Sequence, residues 1–597
     1  MQFWVQRMRV AVRPATFFIA GISTAVAVNS AEAADFVINT DTSLSNADLT
    51  ISDNDTITIS QGVTVGVVGD EAFRTKKNDI VINNAGTLSS TGDEAVRLDD
   101  DRNIVNNSSG GVIVSDGDDA IDVRGPDAVI NNAGLIQSLS GSNHALRIDD
   151  SGVTVTNTGQ LIANETGGNA LFLRGGATGA VINLNAPGFI GGAISVSTGA
   201  TGTLNLQSGK SHSVLWNTQF KQADLTDTND LAGITINRSG PVPWFVDAAS
   251  GRNATYDPSG LAGAVNGLGD IAALVSQLNR PRQGAAAAAG QASFGYVPNG
   301  RGSETATSEY SGGSGDVSNQ LWISAFGGML EHQGDDANLD QTVRQAGIAV
   351  GYGWHQSADL QFSAMAGYVR SNIESESRFA KSHDIDSNGF IFGLHGAQQT
   401  NAVRIGFGFS GGLLSHDSSR FINDNLATTG GATLGQSSAS ADYDSWYFSP
   451  EIGISTDWEQ SNGWTLSPGV RVRYSMQSID GFTETGSSAN ATVGDRNLGV
   501  FEVNPEIVAS RTAEFGVFSV RVGYLARRSA GDDNVSITML GASNQVGFGD
   551  TDSSGFYAGA GLNIKISDNQ HLALDGVGYF GDDMTGGQGM AKFVSRF

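Results

Sequence analysis

VINNAGLI, residues 129–136, recurs along the N-terminal part of the chain as VINNAGTL (81–88), IVNNSSGGVI (104–113) and VTNTGQLI (155–162). Between these phrases runs a second one: DEAFRT (70–75), DEAVRL (93–98), DDAIDV (118–123), NHALRI (143–148), GNALFL (168–173) and GGAISV (191–196). Its alanines, Ala72, Ala95, Ala120, Ala145, Ala170 and Ala193, are spaced 23, 25, 25, 25 and 23 residues apart. A period this regular marks an array of stacked units. Each unit holds short alternating pieces, such as Val129-Ile130 and Leu146-Arg147-Ile148, separated by Asn, Gly and Asp, which is strand and turn chemistry. About 24 residues forming two or three strands, each laid on its counterpart in the next unit, describe one coil of a right-handed parallel β-helix. Asn84, Asn107, Asn132 and Asn157 then form a ladder at the ~4.8 Å strand spacing, and a stack of about eight or nine coils rises ~40 Å.

Two features of the array bear on chemistry. Asp70-Glu71, Asp93-Glu94 and Asp118-Asp119 fall at equivalent places in neighbouring coils, where stacked like charges repel and a cation would relieve them. A solvated turn explains them as well, and the Ca²⁺-binding GGxGxD nonapeptide is absent. Asp99, Asp100 and Asp101, with Arg97 and Arg124 in repeat register, raise the alternative of a polysaccharide-cleaving site on the coil. Within the coils no GxSxG elbow or HExxH pair occurs, and His144 and His212 read as isolated surface residues. No catalytic, cofactor or metal site is therefore assigned.

The repeat decays after GTLNLQSG (202–209), where Trp216, Phe220, Trp244 and Phe245 are expected to cap the open end of the coil. Then comes YDPSGLAGAVNGLGDIAALVSQLNR (256–280), a helix by its periodicity of Leu261, Val265, Leu268, Ile271, Val275 and Leu278, with Asp257 as cap and Pro258 in the first turn. Residues 280–320 are small and polar and read as a linker.

From Leu321 the pattern changes to long alternating strands. In VRIGFGFSGGL (403–413), Val403, Ile405, Phe407, Phe409 and Leu413 share one face, while Arg404, Gly406, Gly408 and Ser410 share the other. Alternation alone fits an aqueous sandwich and a membrane barrel equally. Segments of ten residues or more suit a tilted bilayer crossing, and Trp322, Tyr352, Trp354, Tyr443, Trp446, Tyr447, Trp458 and Trp464 gather near segment ends as in an aromatic girdle. Thirteen candidate strands can be marked, starting near 321, 341, 358, 383, 401, 440, 463, 497, 515, 534, 555, 570 and 586. If both barrel ends face one compartment the number is even, twelve or fourteen.

The address follows from the termini and the composition. Arg7, Arg9 and Arg13 precede a short apolar run from Ala15 to Val28 and the small residues of Ala31-Glu32-Ala33, which predicts an exported chain cut between Ala33 and Ala34. Cysteine is absent, so nothing cross-links the chain in transit. No continuous apolar run after the leader is long enough for a spanning helix, which leaves a closed barrel as the way to cross a membrane. The net charge of −27 is spread over the chain, −14 in residues 34–250 and −15 in 251–597, and excludes a nucleic-acid partner. At the other terminus, GMAKFVSRF (589–597) places Phe593 and Phe597 on one face, towards lipid, and Lys592 and Arg596 towards the lumen.

A leader, NNAG-type coils, a capped joint, the DPSGLA…LVSQL helix, WISAFGG at 322–328 and the terminal AKFVSRF make an order that resembles the autotransporters, the monomeric type V secretion proteins of Gram-negative bacteria. The resemblance implies an all-β chain. Residues 1–33 are a signal peptide, 34–250 a β-helical passenger with its cap, 251–320 the pore helix and linker, and 321–597 a twelve-stranded outer-membrane barrel. It also implies a helix threading the pore, assembly by the outer-membrane insertion machinery with periplasmic chaperones, and Phe593 and Phe597 as the assembly signal, with Ser595 a departure from the usual apolar residue. The paired asparagines at which some members cut themselves are missing; Asn266 and Asn279 stand alone. The function expected is self-export and display of a non-enzymatic passenger that binds an extracellular ligand, with the protein a monomer. A polysaccharide-active enzyme on the same barrel, or a porin-like barrel with a stalk, are the alternatives.

Overall fold

The structure is a computed structural model that describes residues 33–43, 50–164, 168–209, 213–219, 230–231, 233–247, 249–278, 319–335, 338–357, 359–376, 381–400, 403–427, 435–549 and 551–597. The expected leader before residue 33, Phe220, His212, Asn279 and nearly all of the expected linker at 280–320 lie outside these residues. Ala34 opens the first coil: its N–H donates to Asp55 Oδ1 at 2.8 Å, and its carbonyl accepts from Thr56.

The NNAG phrases fold as expected into a parallel β-helix with three sheets, but of about seven turns rather than eight or nine. One sheet stacks Asp35–Ile38, Thr56–Ile59, Val81–Asn84, Ile104–Asn107, Val129–Asn132, Thr154–Asn157, Ala180–Asn185, Gly202–Gln207 and Ile234–Ser239 in parallel register. Alternation decides what each residue does. In Val129–Asn132, Ile130 and Asn132 point into the coil and Val129 and Asn131 point out. The interior is a column of Ile57, Ile82, Val105, Ile130, Val155 and Ile182, all buried. The predicted ladder is present: Asn84 donates to Asn107 at 2.8 Å, Asn107 to Asn132 at 2.8 Å and Asn132 to Asn157 at 2.7 Å. Each of the first three also donates to a backbone carbonyl of the following coil, of Val112, Leu135 and Gln160.

Twelve antiparallel strands close the barrel, from Gln320–His332 to Met584–Arg596, which pair with each other along their whole length. The thirteenth candidate, near 534, is Asn534–Met539; it pairs instead with Ala542–Gly547 and Thr492–Val493 in a small separate sheet outside the barrel wall. A strand of the right length and alternation in a long loop is indistinguishable by pattern from a barrel strand. The wall is inside out relative to a water-soluble sandwich. Phe390, Leu413, Ile452, Val522 and Phe556 are exposed on its outer face, whereas Ser363, Arg404, His416, Arg473, Gln477 and Glu502 are buried within. Exposed apolar residues around the whole circumference require a lipid solvent, which removes the sandwich reading.

Parity also corrects the girdle. Tyr352, Trp446 and Trp458 face outwards, but Trp322, Tyr443 and Tyr447 are buried in the lumen. Tyr447 directly follows Trp446, so only one of the two can meet lipid. The strands Lys381–Thr400, Val403–Asp424 and Gln436–Thr456 have 20, 22 and 21 residues. A tilted crossing takes about ten, and the remainder forms a raised lip at the end away from the chain's entry into the barrel.

Candidate functional site

The site is the lumen and its mouth. The helix Ser259–Leu278 stands inside the barrel, with the predicted apolar residues Leu261, Val265, Leu268, Ile271, Val275 and Leu278 all buried. Asp257 starts it as expected, its Oδ1 accepting the Ser259 N–H at 2.9 Å and the Ser259 hydroxyl at 2.6 Å, while Ser382 on the wall donates to its other oxygen. A narrow stripe suggests one packed face, yet eighteen of the twenty residues are buried. A helix in a lumen has neighbours on every side. Close fit depends on its glycines: a Cβ on Gly263 would lie 2.7 Å from Ile373 Cγ2 on the wall. The void left beside Ala264, Gly267 and Ile271 is ≈ 20 Å³, room for about one water.

Charge fixes the helix as much as shape does. Asp270, the one acid on this apolar helix, meets His332 Nε2 at 2.8 Å and the guanidinium of Arg527. Arg527 continues to Glu502 at 3.0 Å, and Glu502 to Arg473, whose Nη1 donates to the Ala272 carbonyl at 2.8 Å. Lys592 on the closing strand donates to the Leu278 carbonyl at 2.8 Å, with its ammonium 4.0 Å from the Trp322 ring centre. Cations from three wall segments thus end on carbonyls or the carboxylate of the helix, which favours its C-terminal half electrostatically. Asn266 donates to Gln341 at 2.8 Å and belongs to the packed lumen. Sequence reasoning missed this constellation, although a lone Asp inside an apolar helix, facing inward arginines on the strands, is the available signal.

At the lip, coil and barrel share a sheet. Val214–Gln219 of the cap runs parallel to the end of Val403–Asp424, with Val214 opposite Asn423 and Leu215 opposite Asp424. Asn423 Oδ1 accepts from the Ile190 N–H and the Trp216 indole, both at 3.1 Å, and its Nδ2 donates to the Ile190 carbonyl at 2.8 Å. Asn425 accepts from the Asn217 N–H at 2.8 Å and donates to the Gly192 and Asn217 carbonyls at 3.0 Å. Of the predicted cap aromatics, Trp216 and Phe245 are fully buried, Trp244 is half-buried and Phe220 lies outside the described residues; the cap runs on through Arg252–Thr255, which pairs with both Val214–Gln219 and Trp244–Asp247. Asn544, in the small outer sheet, donates to the Trp244 carbonyl at 3.1 Å. With backbone bonds intact, replacing both Asn423 and Asn425 by alanine is expected to weaken the seat by a few kcal/mol, at about 1 kcal/mol net for each lost bond. Limited proteolysis of whole cells should then clip the chain between residues 190 and 256 at least tenfold faster; an unchanged rate contradicts the seat.

The acidic turns of the coil differ from the solvated expectation. Asp70, Asp93 and Asp118 do line the turn and accept the next backbone N–H, but Glu71, Glu94 and Asp119 turn inwards and are buried. Asp70, Glu71 and Asp93, and likewise Asp93, Glu94 and Asp118, bring oxygens within 4.8 Å of one another. Arginines answer the buried ones: Arg74 meets Glu71 at 3.2 Å, Arg124 meets Glu94 at 3.2 Å and Arg147 meets Asp119 at 3.6 Å. Arg97 and Arg74 both hold Asp99, at 2.9 and 2.6 Å, so Asp99 and Arg97 of the considered cleavage site are engaged in ion pairs. His144 is no isolated surface residue; it packs on Phe172 with ring centres 4.5 Å apart, and burial pushes its pKa down to about 4.

Burial, with Asp93 beside it, pushes the Glu94 carboxyl up to about 9. The folded coil therefore binds a proton there that the unfolded chain releases near its ordinary value of 4.5. Its stabilising contribution is complete below that value and is lost as pH rises towards 9. Glu94→Gln should flatten the fall in thermal stability of the coil between those limits, measured on the full chain in detergent micelles; an unaltered slope contradicts this.

Residues 321–576 match the family model described as autotransporter β-domain. Among solved structures the chain is similar to the translocator domain of the autotransporter NalP from Neisseria meningitidis, at 12% identity over 48% of this chain and 90% of that chain, with a TM-score of 0.38. It is also similar to the β-domain of the Bordetella autotransporter BrkA, at 14% identity over 47% of this chain and 100% of that one, with a TM-score of 0.32. A third is the transport unit of AIDA-I from Escherichia coli, at 12% identity over 47% and 90%, with a TM-score of 0.32. The comparison with curated proteins finds no match.

Proposed function

We propose that this chain, whose residues 321–576 are an autotransporter β-domain set in the outer membrane with its coil displayed at the surface, carries that coil as a non-enzymatic binding module, for adhesion or a related surface interaction. The observation that carries the reading is continuity: the helix filling the lumen leads directly into a coil hydrogen-bonded to the lip at Asn423 and Asn425. A segment still threaded through the pore and seated at its mouth suits a product that stays attached. A porin-like barrel would need an open lumen, and this one is filled. The enzyme alternative draws little support from the coil, where Asp99 and Glu94 are engaged by arginines.

The remaining parts of the proposal concern the route. The leader is cut between Ala33 and Ala34, periplasmic chaperones hold the Cys-free chain extended, and the insertion machinery assembles one copy per barrel. The signal it reads is the outward aromatic pair of the closing strand, Phe593 and Phe597; Lys592 and Val594 on the other face are buried. Coils folding one upon another outside oppose backsliding, since each new coil buries apolar surface only on its predecessor. Protease shaving of whole cells followed by mass spectrometry tests this. Truncation after Gly581 should abolish release of coil peptides, and Phe597→Ala should lower it severalfold; normal release from both variants overturns the proposal.

A further inference from the structure

Beside the buried asparagine ladder runs a second one on the outside of the same sheet. Thr58, Asn83, Asn106, Asn131, Thr156, Asn183, Asn205 and Asn237 occupy successive rungs in register. Asn106 donates to Asn83 at 2.9 Å, Asn131 to Asn106 at 2.9 Å, Asn205 to Asn183 at 2.8 Å and Asn237 to Asn205 at 2.9 Å. A carboxamide has two N–H donors and two acceptor lone pairs. Within the ladder Asn106 uses one of each, which leaves one donor and one acceptor for the outside. The same arithmetic holds at Asn205. These side chains therefore lock one another's orientation, and each asparagine keeps at least one donor and one acceptor for the outside.

The ladder forms one wall of a trough of ≈ 300 Å³ that continues round the corner of the coil to Ala85, Ser108 and Ala133. It reaches from Ile59 to Thr158, five rungs or about 19 Å at the strand spacing. Small corner residues make the depression, and Val81, Ile104 and Val129 alternate outward beside the amides. No charged side chain lines it, although the chain carries a net charge of −27. A polyanion is repelled by such a molecule at long range, and a polycation is drawn to the acidic turns instead. What fits is an uncharged chain with alternating hydroxyl edges and C–H faces, repeating at close to the coil rise. An extended pyranose polymer has those properties, since each hydroxyl both donates and accepts and each ring advances the chain by nearly one strand spacing.

We propose that this trough is a binding site for a neutral linear polysaccharide lying along the coil axis, with one sugar ring per coil against Asn83, Asn106 and Asn131. The proposal rests on the reading of the coil as a displayed binding module and names its ligand class. The test uses the full chain on whole cells, with four soluble probes: a mixed-linkage β-glucan, a galactomannan, dextran and the polyanion alginate. Wild-type cells should retain at least one neutral polymer, weakly dependent on salt, and not alginate. The double variant Asn106→Leu/Asn131→Leu, whose side chains point outward and leave the interior untouched, should lose that retention at least tenfold while its coil stays protease-resistant. The proposal is overturned if no neutral polymer is retained, if alginate binds equally, or if the double variant retains the polymer. It is also overturned if the ladder instead drives aggregation of wild-type cells without polymer, because the occupant is then a second copy of the coil. Shaving in parallel separates the two levels: coil peptides released without polymer retention refute the ligand alone, and no peptides released refutes display.

Discussion

Asn132→Leu is expected to unfold the middle of the coil at temperatures where the native chain is intact, while Asn131→Leu, one residue away, is expected to change stability by less than about 0.5 kcal/mol. Asn132 is buried and makes four hydrogen bonds: from Asn107 Nδ2 and the Gly134 N–H to its oxygen, and from its nitrogen to Asn157 and the Gln160 carbonyl. Leucine branches at Cγ in the same way, is larger, and offers none of them. The Gly134 N–H and Asn157 Oδ1 then lose a partner inside the coil, and each orphaned buried group costs about 1–3 kcal/mol. The sum, a few kcal/mol, is a large share of the stability of any single coil. Because a repeat leans only on its neighbours, the loss spreads along the stack. Thermal unfolding of the full chain in micelles, followed by circular dichroism with protease resistance of the displayed coil, reads the effect. Equal behaviour of the two variants would show that parity does not separate the ladders.

Asp270→Ala should loosen the helix in the lumen and open the barrel to ions. The carboxylate is shared by His332 and Arg527, and removing it leaves a buried guanidinium with Glu502 as its remaining acid, which is itself shared with Arg473. Breaking a buried ion pair by deleting one member costs about 3–5 kcal/mol, and here the cost falls on the contact between plug and wall. In planar bilayers the variant should show long open events at least tenfold more often than the native barrel. Asp270→Leu/Arg527→Met, which removes both members and restores an apolar contact, should close it again to a large extent. A native-like conductance for Asp270→Ala would mean that shape alone retains the helix.

Local pattern sufficed for much of this protein because its elements are defined by short-range periods. A repeat of 23–25 residues can only be a stack, and the second asparagine of each NNAG phrase must point inwards once Ile130 and its equivalents do. The helix, its Asp257 cap and the position of Lys592 on the lumen side followed from the same periods. Parity did not assign solvent: whether Phe407 or Arg404 is the inner residue depends on whether the twelve strands close on themselves, and closure is a property of pairing between Gln320–His332 and Met584–Arg596, nearly the whole barrel sequence apart. Only the tertiary structure sent Trp322 and Tyr447 into the lumen, moved Asn534–Met539 out of the wall and set Glu94 beneath its arginines. It alone brought Asp270 to Arg527, 257 residues away, and Asn423 to Trp216, 207 residues away. Contacts at such separations leave no local period, because the chain between them is free to vary in length without changing which faces meet.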